Sequence, residues 1–150
     1  MEITMSLNPE NTCSHLFNDN IKKLDNPIVD MFNMQLSLQQ HLAEKGRALN
    51  YDTASHKEKV NDISNQWRNI SLEFAELLER LPFKEWKTYS PEQLAGFKDD
   101  ADKLETYYEY IDMFHFFMNI GLALGIDGDT FEKLYVTKNQ ENFDRQARGY

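Results

Sequence analysis

Apolar residues fall three and four apart along most of this chain, the spacing of one face of an α-helix. The longest series is Val60, Ile63, Trp67, Ile70, Phe74, Leu77 and Leu81. It predicts a helix of about six turns with a continuous buried seam, ended by Pro82. An earlier series, Met31, Met34, Leu38 and Leu42, predicts a helix that begins at Asp25-Asn26-Pro27 and stops at Gly46. A capping side chain ahead of a first-turn proline marks its start, and the glycine marks its end. Leu104, Tyr108, Ile111, Met118 and Leu122 predict a third long helix that ends at Gly125. Asp127 can cap a last helix over residues 128–147, anchored by Phe131 and Leu134. Ser90-Pro91-Glu92-Gln93 has the pattern of a capping box and opens a short helix. Residues 47–55 are a polar link, residues 83–90 an aromatic and basic one. The expectation is an all-α fold, a compact bundle of long helices around an acidic cleft.

Residues 1–24 are weakly patterned and read as an arm packed on the body. Cys13 and His15 are too few for a structural zinc, which wants four ligands. The 150 residues suffice for one domain with a single core. The 41% hydrophobic content suits a globular chain and not a disordered one. The net charge of −9 argues against non-specific nucleic-acid binding. Cys13 is the one cysteine, so no internal disulfide forms, as in a reducing cytosol. Neither a signal pattern nor an apolar run of membrane-spanning length is found. These features lead to the expectation of a cytoplasmic protein without membrane contact.

The candidate chemistry lies in two carboxylate pairs, Glu73 with Glu76 and Glu109 with Asp112. Each pair is spaced i, i+3, so on a helix both members share a face. Two such faces packed together would crowd four carboxylates, and that needs cations to be tolerable. Oxygen-only ligands favour a hard cation, Mg²⁺ or Mn²⁺. Two solvated acidic faces are the plainer alternative. Against it stands a donor stripe near the end of the chain, Lys138, Asn142 and Arg145 at i, i+4 and i+7. Metals on one side and Lys and Arg on the other suit a polyphosphate. The tail through Tyr150 would either close over such a site or fray. Phe116 and Asn119 continue the Glu109–Asp112 stripe, with His115 beside it. Trp86 is either a core anchor or a lid over a flat ligand. Gln35 and Gln39 lie one turn apart, and an amide can read a base edge. If nothing locks it, a half-rotation of the Gln35 amide lets it serve cytosine or uracil alike.

Glu73-x-x-Glu76, Lys84-x-Trp86, Glu109-x-x-Asp112-x-x-His115-Phe116 and Lys138-Asn-x-x-Asn142-x-x-Arg145-Gln-x-x-Gly149-Tyr150 are the motifs that matter together. They resemble the all-α dimeric dUTPase family of nucleoside triphosphate pyrophosphatases, nearest its phage-encoded branch. The likeness covers most of the chain, densely after residue 104 and thinly over 47–70. One position departs: Gln39 or Gln40 stands where the dUTPases proper carry an asparagine. The resemblance implies one pyrophosphatase domain over residues 1–150, whose residues 138–150 bind phosphate. It implies that Glu73, Glu76, Glu109 and Asp112 hold Mg²⁺; a carboxylate beside the metal-bound water can take its proton, and Glu76 is the candidate catalytic base. Lys138, Asn142, Arg145 and Tyr150 would grip the phosphates. Gln35, Gln39, Trp86, His115 and Phe116 would surround base and sugar. The implied reaction is hydrolysis of dCTP or dUTP to the monophosphate and pyrophosphate, by a homodimer in the host cytoplasm, in control of the nucleotide pool for phage DNA synthesis. The alternatives are an enzyme for dUTP and dUDP only, a non-catalytic nucleotide- or metal-binding protein, and a di-iron helical bundle. Di-iron bundles use paired Glu-x-x-His motifs, which only Asp112-x-x-His115 approaches here.

Overall fold

The computed structural model describes residues 12–149. They form a short 3₁₀ turn at Ser14–Leu16 and five helices: α1 (Pro27–Glu44), α2 (His56–Glu79), α3 (Pro91–Ala95), α4 (Asp100–Ala123) and α5 (Gly128–Ala147). The fold is all-α, with no strand among the described residues. No helix is long and apolar enough to cross a membrane. The chain divides into two compact units. The first takes in the described residues up to Ile21 together with Asn69–Phe114. The second takes in Lys22–Arg68 and the described residues from His115 onward. Helices α2 and α4 each contribute to both.

Helix ends follow the local chemistry of the sequence. Gly46 and Gly125 adopt φ of 67° and 83°, in the left-handed region that glycine enters without cost. Behind them Arg47 N–H reaches Leu42 O and Ile126 N–H reaches Gly121 O, which satisfies carbonyls the helices would leave open. The Asp127 carboxylate accepts the Thr130 N–H at 2.8 Å and starts α5 where the sequence predicts. Ser90 and Gln93 complete the predicted capping box of α3. The start of α1 differs from expectation. The Asn26 side chain makes no capping hydrogen bond. Instead Asn26 N–H donates to the Asp30 carboxylate at 3.0 Å.

The buried faces also differ from the predicted seams. On α1 the buried residues are Phe32, Gln35 and Gln39, while Met31, Met34 and Leu38 stay exposed. Ile70 of the α2 seam is buried, but Val60, Trp67 and Phe74 are exposed, Trp67 by 59%. On α4 the buried positions are Glu105, Thr106, Met113, Asn119, Gly121 and Ala123, and Ile111 of the predicted seam is exposed. Amides can replace apolar side chains inside because each finds a hydrogen bond there, which offsets lost hydration. Among the described residues no buried side-chain nitrogen or oxygen lacks a partner.

The α1–α5 contact organises the second unit. Phe32 meets Phe131 with ring centroids 5.3 Å apart, so Phe131 anchors α5 as predicted although it is partly exposed, while Leu134 is exposed further. The helices approach closely because Gly128 has no side chain. A Cβ there would lie 2.5 Å from Val29 Cα and 3.0 Å from Ile28 O. Those are backbone atoms of α1 and cannot swing aside. Gly128→Ala is therefore expected to destabilise by about 1–3 kcal/mol, the usual range for overpacking. A thermal melt should register this as a loss of several degrees; an unchanged Tm would refute the contact.

Candidate active site

In the first unit, α2 and α4 bring the two predicted carboxylate pairs together. Glu73, Glu109 and Asp112 each offer an oxygen within 4.8 Å of the others. Glu76 lies on the exposed side of α2, yet its charge acts on both Glu73 and Glu109. Burial, and then the charges of Glu76, Asp112 and Glu109, push the Glu73 carboxyl above the ordinary value. Burial likewise pushes Glu109 up; Glu76 and Asp112 add to that, and Arg80 partly offsets it. The donor set suits a hard cation. Three carboxylate oxygens are close to the span of opposite ligands on one Mg²⁺, about 4 Å.

Arg80 supplies the internal counter-charge. Its guanidinium lies 3.2 Å from Asp102, 3.3 Å from Glu109 and 4.0 Å from Glu105. The sequence contains a signal for it: Glu73, Glu76 and Arg80 stand at i, i+3 and i+7, so Arg80, in the turn directly after α2, continues the face of the two carboxylates. Glu105, only 5% exposed, has a second task. Its Oε1 accepts the Cys13 N–H at 2.7 Å and the Ser14 N–H as well. Burial alone would raise this carboxyl; the Ser14 and Cys13 N–H groups and the Arg80 charge bring it below the ordinary value. Residues 13 and 14 of the predicted arm are tied down by this carboxylate. In the connection after α2, Lys84 Nζ pairs with Glu79 at 3.2 Å. Trp86 is 81% exposed, so it is not a core anchor.

In the second unit the buried polar side chains form one continuous chain. The Tyr51 hydroxyl donates to Asp62 Oδ2 at 2.6 Å. Gln66 Nε2 donates to the same carboxylate at 3.2 Å. Asn119 Nδ2 donates to Gln66 Oε1 at 3.2 Å, and Gln35 Nε2 donates to Asn119 Oδ1 at 2.8 Å. Gln35 Oε1 lies 2.6 Å from His115 Nδ1. The Gln35 amide is thus held at both ends, and the free half-rotation that the sequence suggested does not apply. Burial, reinforced by the Asp62 hydrogen bond and charge, pushes the Tyr51 hydroxyl far above the ordinary phenol value, so it remains a donor. Gln39, also buried, donates to the Leu49 carbonyl at 3.0 Å and secures the link after α1. Phe116 is half-buried. Sequence reasoning missed Tyr51, Asp62 and Gln66; the i, i+4 spacing of Asp62 and Gln66 was the available signal.

On α5, Lys138 and Asn142 are exposed and Arg145 is half-buried. Arg145 Nε pairs with Glu141 at 3.0 Å, and Arg148 reaches the same oxygen at 2.8 Å. Those two hydrogen bonds hold the Glu141 carboxyl below its ordinary value. Tyr150 lies outside the described residues.

The raised Glu73 carboxyl has a testable consequence. A carboxyl raised in the folded state binds protons more tightly there than in the unfolded chain. Its contribution to stability is full below the unfolded value and is lost as pH rises through the folded one. Metal-free Glu73→Gln should therefore melt above the parent at pH 7, with the gap closing as pH falls through the carboxylate range. Parallel melting curves against pH would contradict the crowding.

The chain matches the dUTPase family over residues 27–130. It is 35% identical to a dCTP pyrophosphatase of Enterobacteria phage LZ5, across 93% of this chain and 98% of that protein. It is 29% identical to a dCTP pyrophosphatase of Enterobacteria phage T4, with the same coverage of both. A DNA replication protein of phage T4 is 27% identical across 87% of this chain and 40% of its own length. No solved structure matches. With an all-α fold, clustered helical carboxylates and a family match over most of its length, this chain belongs to the all-α dUTPase family of nucleotide-hydrolysing enzymes.

Proposed function

We propose that this enzyme hydrolyses dCTP and dUTP to the monophosphate and pyrophosphate, as one pyrophosphatase domain over residues 1–150, and so adjusts the nucleotide pool for phage DNA synthesis in the host cytoplasm. The observation that carries the reading is the meeting of Glu73, Glu109 and Asp112 on facing helices, in a chain 35% identical to a dCTP pyrophosphatase. Glu73, Glu76, Glu109 and Asp112 would hold Mg²⁺, or Mn²⁺ in its place. A metal bound there supplies positive charge to the phosphoryl oxygens and acidifies a water. Glu76, exposed on α2, would accept the proton of the attacking water. Lys138, Asn142 and Arg145, with Tyr150, grip the phosphates, and Arg145 exchanges Glu141 for a phosphate oxygen. Gln35 and His115 read the base edge; Gln39, Trp86 and Phe116 complete the base and sugar contacts.

The assembly proposed is a homodimer. Met31, Met34 and Leu38 form an exposed apolar stripe on α1, and Val60 and Trp67 are exposed on α2. Such a surface supports a homodimer. Light scattering at micromolar concentration should return twice the chain mass, and a fully active monomer would refute the dimer.

The activity is tested by pyrophosphate release over the common nucleoside triphosphates with Mg²⁺. dCTP and dUTP should be the best substrates, and dATP and dGTP should be inert. Glu76→Gln should abolish turnover while helical content stays native. Arg145→Ala should cost about 10²–10³-fold, as for other preorganised donors to developing charge. A Glu76→Gln enzyme with half its activity would remove that residue from the mechanism, and a purine nucleotide as best substrate would overturn the reading of the base.

A further inference from the structure

We infer that Asp62, which touches no substrate in the reading above, sets the hydrogen-bonding polarity of His115 through Gln66, Asn119 and Gln35, and thereby favours cytosine over uracil. The inference rests on the proposed base-reading role of His115.

The direction of every bond in the chain is forced from one end. A carboxylate can only accept hydrogen bonds. Asp62 takes one from the Tyr51 hydroxyl at 2.6 Å, so Gln66 must turn its NH₂ toward the same group. That leaves Gln66 Oε1 facing Asn119, which must present its own NH₂. Asn119 Oδ1 then faces Gln35, which must present NH₂ in turn. Gln35 is left with its carbonyl oxygen toward His115 Nδ1 at 2.6 Å. An oxygen acceptor at that distance requires a proton on Nδ1. Gln35, Asn119 and Gln66 are 4%, 5% and 7% exposed, so water cannot take the place of a misdirected partner. Turning over any one amide would set oxygen against oxygen and N–H against N–H at its two contacts, at least one of which is buried.

With Nδ1 protonated, neutral His115 keeps a lone pair on Nε2. That nitrogen accepts from a donor on the base. The exocyclic amine of cytosine is such a donor; the corresponding oxygen of uracil is an acceptor and meets a lone pair. Asp62 is thus a positioning residue whose effect crosses three amides before it reaches a ring nitrogen. Asparagine at position 62 has both a donor and an acceptor, so the whole chain can reverse, place the Gln35 NH₂ against Nδ1 and move the proton to Nε2.

The test begins with the full-length ¹⁵N-labelled protein without nucleotide, above the histidine titration range. Long-range ¹H–¹⁵N correlation distinguishes the two ring nitrogens, with His115→Asn identifying its signals among the four histidines. The expected pattern is a pyrrole-type Nδ1 and a pyridine-type Nε2. Asp62→Asn should lose that preference, and its kcat/KM ratio of dCTP to dUTP should fall roughly tenfold, the worth of one hydrogen bond. Tyr51→Phe retains the carboxylate and should keep both the tautomer and the ratio. A parent with the proton on Nε2 overturns the inference, and leaves the proposed activity standing. A folded Asp62→Asn with an unchanged tautomer overturns it too. A tautomer that shifts while the ratio does not sinks the specificity claim, and the base-reading role of His115 with it. If Asp62→Asn does not fold, the parent spectrum still decides the polarity.

Discussion

The Arg80 guanidinium stands 3.2 Å from Asp102, 3.3 Å from Glu109 and 4.0 Å from Glu105, and the first unit depends on it. Carboxylates gathered on two helices repel one another, and partial burial strengthens the repulsion. Arg80 meets that repulsion on one flank and leaves Glu73 and Asp112 on the other. Its hold on Glu109 matters twice. It lowers the cost of ionising that group, and it engages one carboxylate oxygen so that the orientation of the other is defined. If Glu109 holds the proposed metal, a partner of this kind behind it is expected to matter about 10–100-fold for affinity or activity. Removing Arg80 would leave three carboxylates without their shared cation.

The second unit solves the opposite problem, the burial of neutral polar groups. Five side chains lead from Tyr51 and Asp62 to Gln35 and on to His115, and each bond constrains the next. An apolar interior of the same volume would be as stable, since a hydrogen bond inside roughly replaces one to water. What the polar chain adds is direction. A carboxylate at one end decides which atoms are offered at the other.

Apolar surface is the third feature of the molecule. Of the most regular hydrophobic spacings in the sequence, those of α1 and α2, Met31, Met34, Leu38, Val60, Trp67 and Phe74 stay exposed and Ile70 is buried. Met34 remains 62% exposed while Gln39 is buried to 3%. A regular apolar stripe at a helix surface usually marks a partner's place, and a second copy of the chain is the occupant proposed above.

Sequence alone determined the helices and where they end. Pro27, Gly46, Pro82, Gly125 and Asp127 act on backbone groups within a turn of themselves, so their effect needs no distant partner. The i, i+3 spacing of Glu73 and Glu76, and of Glu109 and Asp112, is local in the same sense and was legible as shared faces. Tertiary structure decided which face of each helix turns inward. On α1 two stripes lie one residue apart, and hydropathy favours the methionines. Gln35 wins because Asn119 and His115 of α4 meet its amide, and Gln39 because the Leu49 carbonyl does. Partners 80 and 84 residues away leave no periodic trace in the sequence. For the same reason the locked orientation of Gln35 was not legible, and nor was the place of Arg80 between Asp102 and Glu109, residues 22 and 29 positions further along. Periodicity tells which residues share a face; only the hydrogen bonds and charges that a face meets across the fold decide whether it is buried.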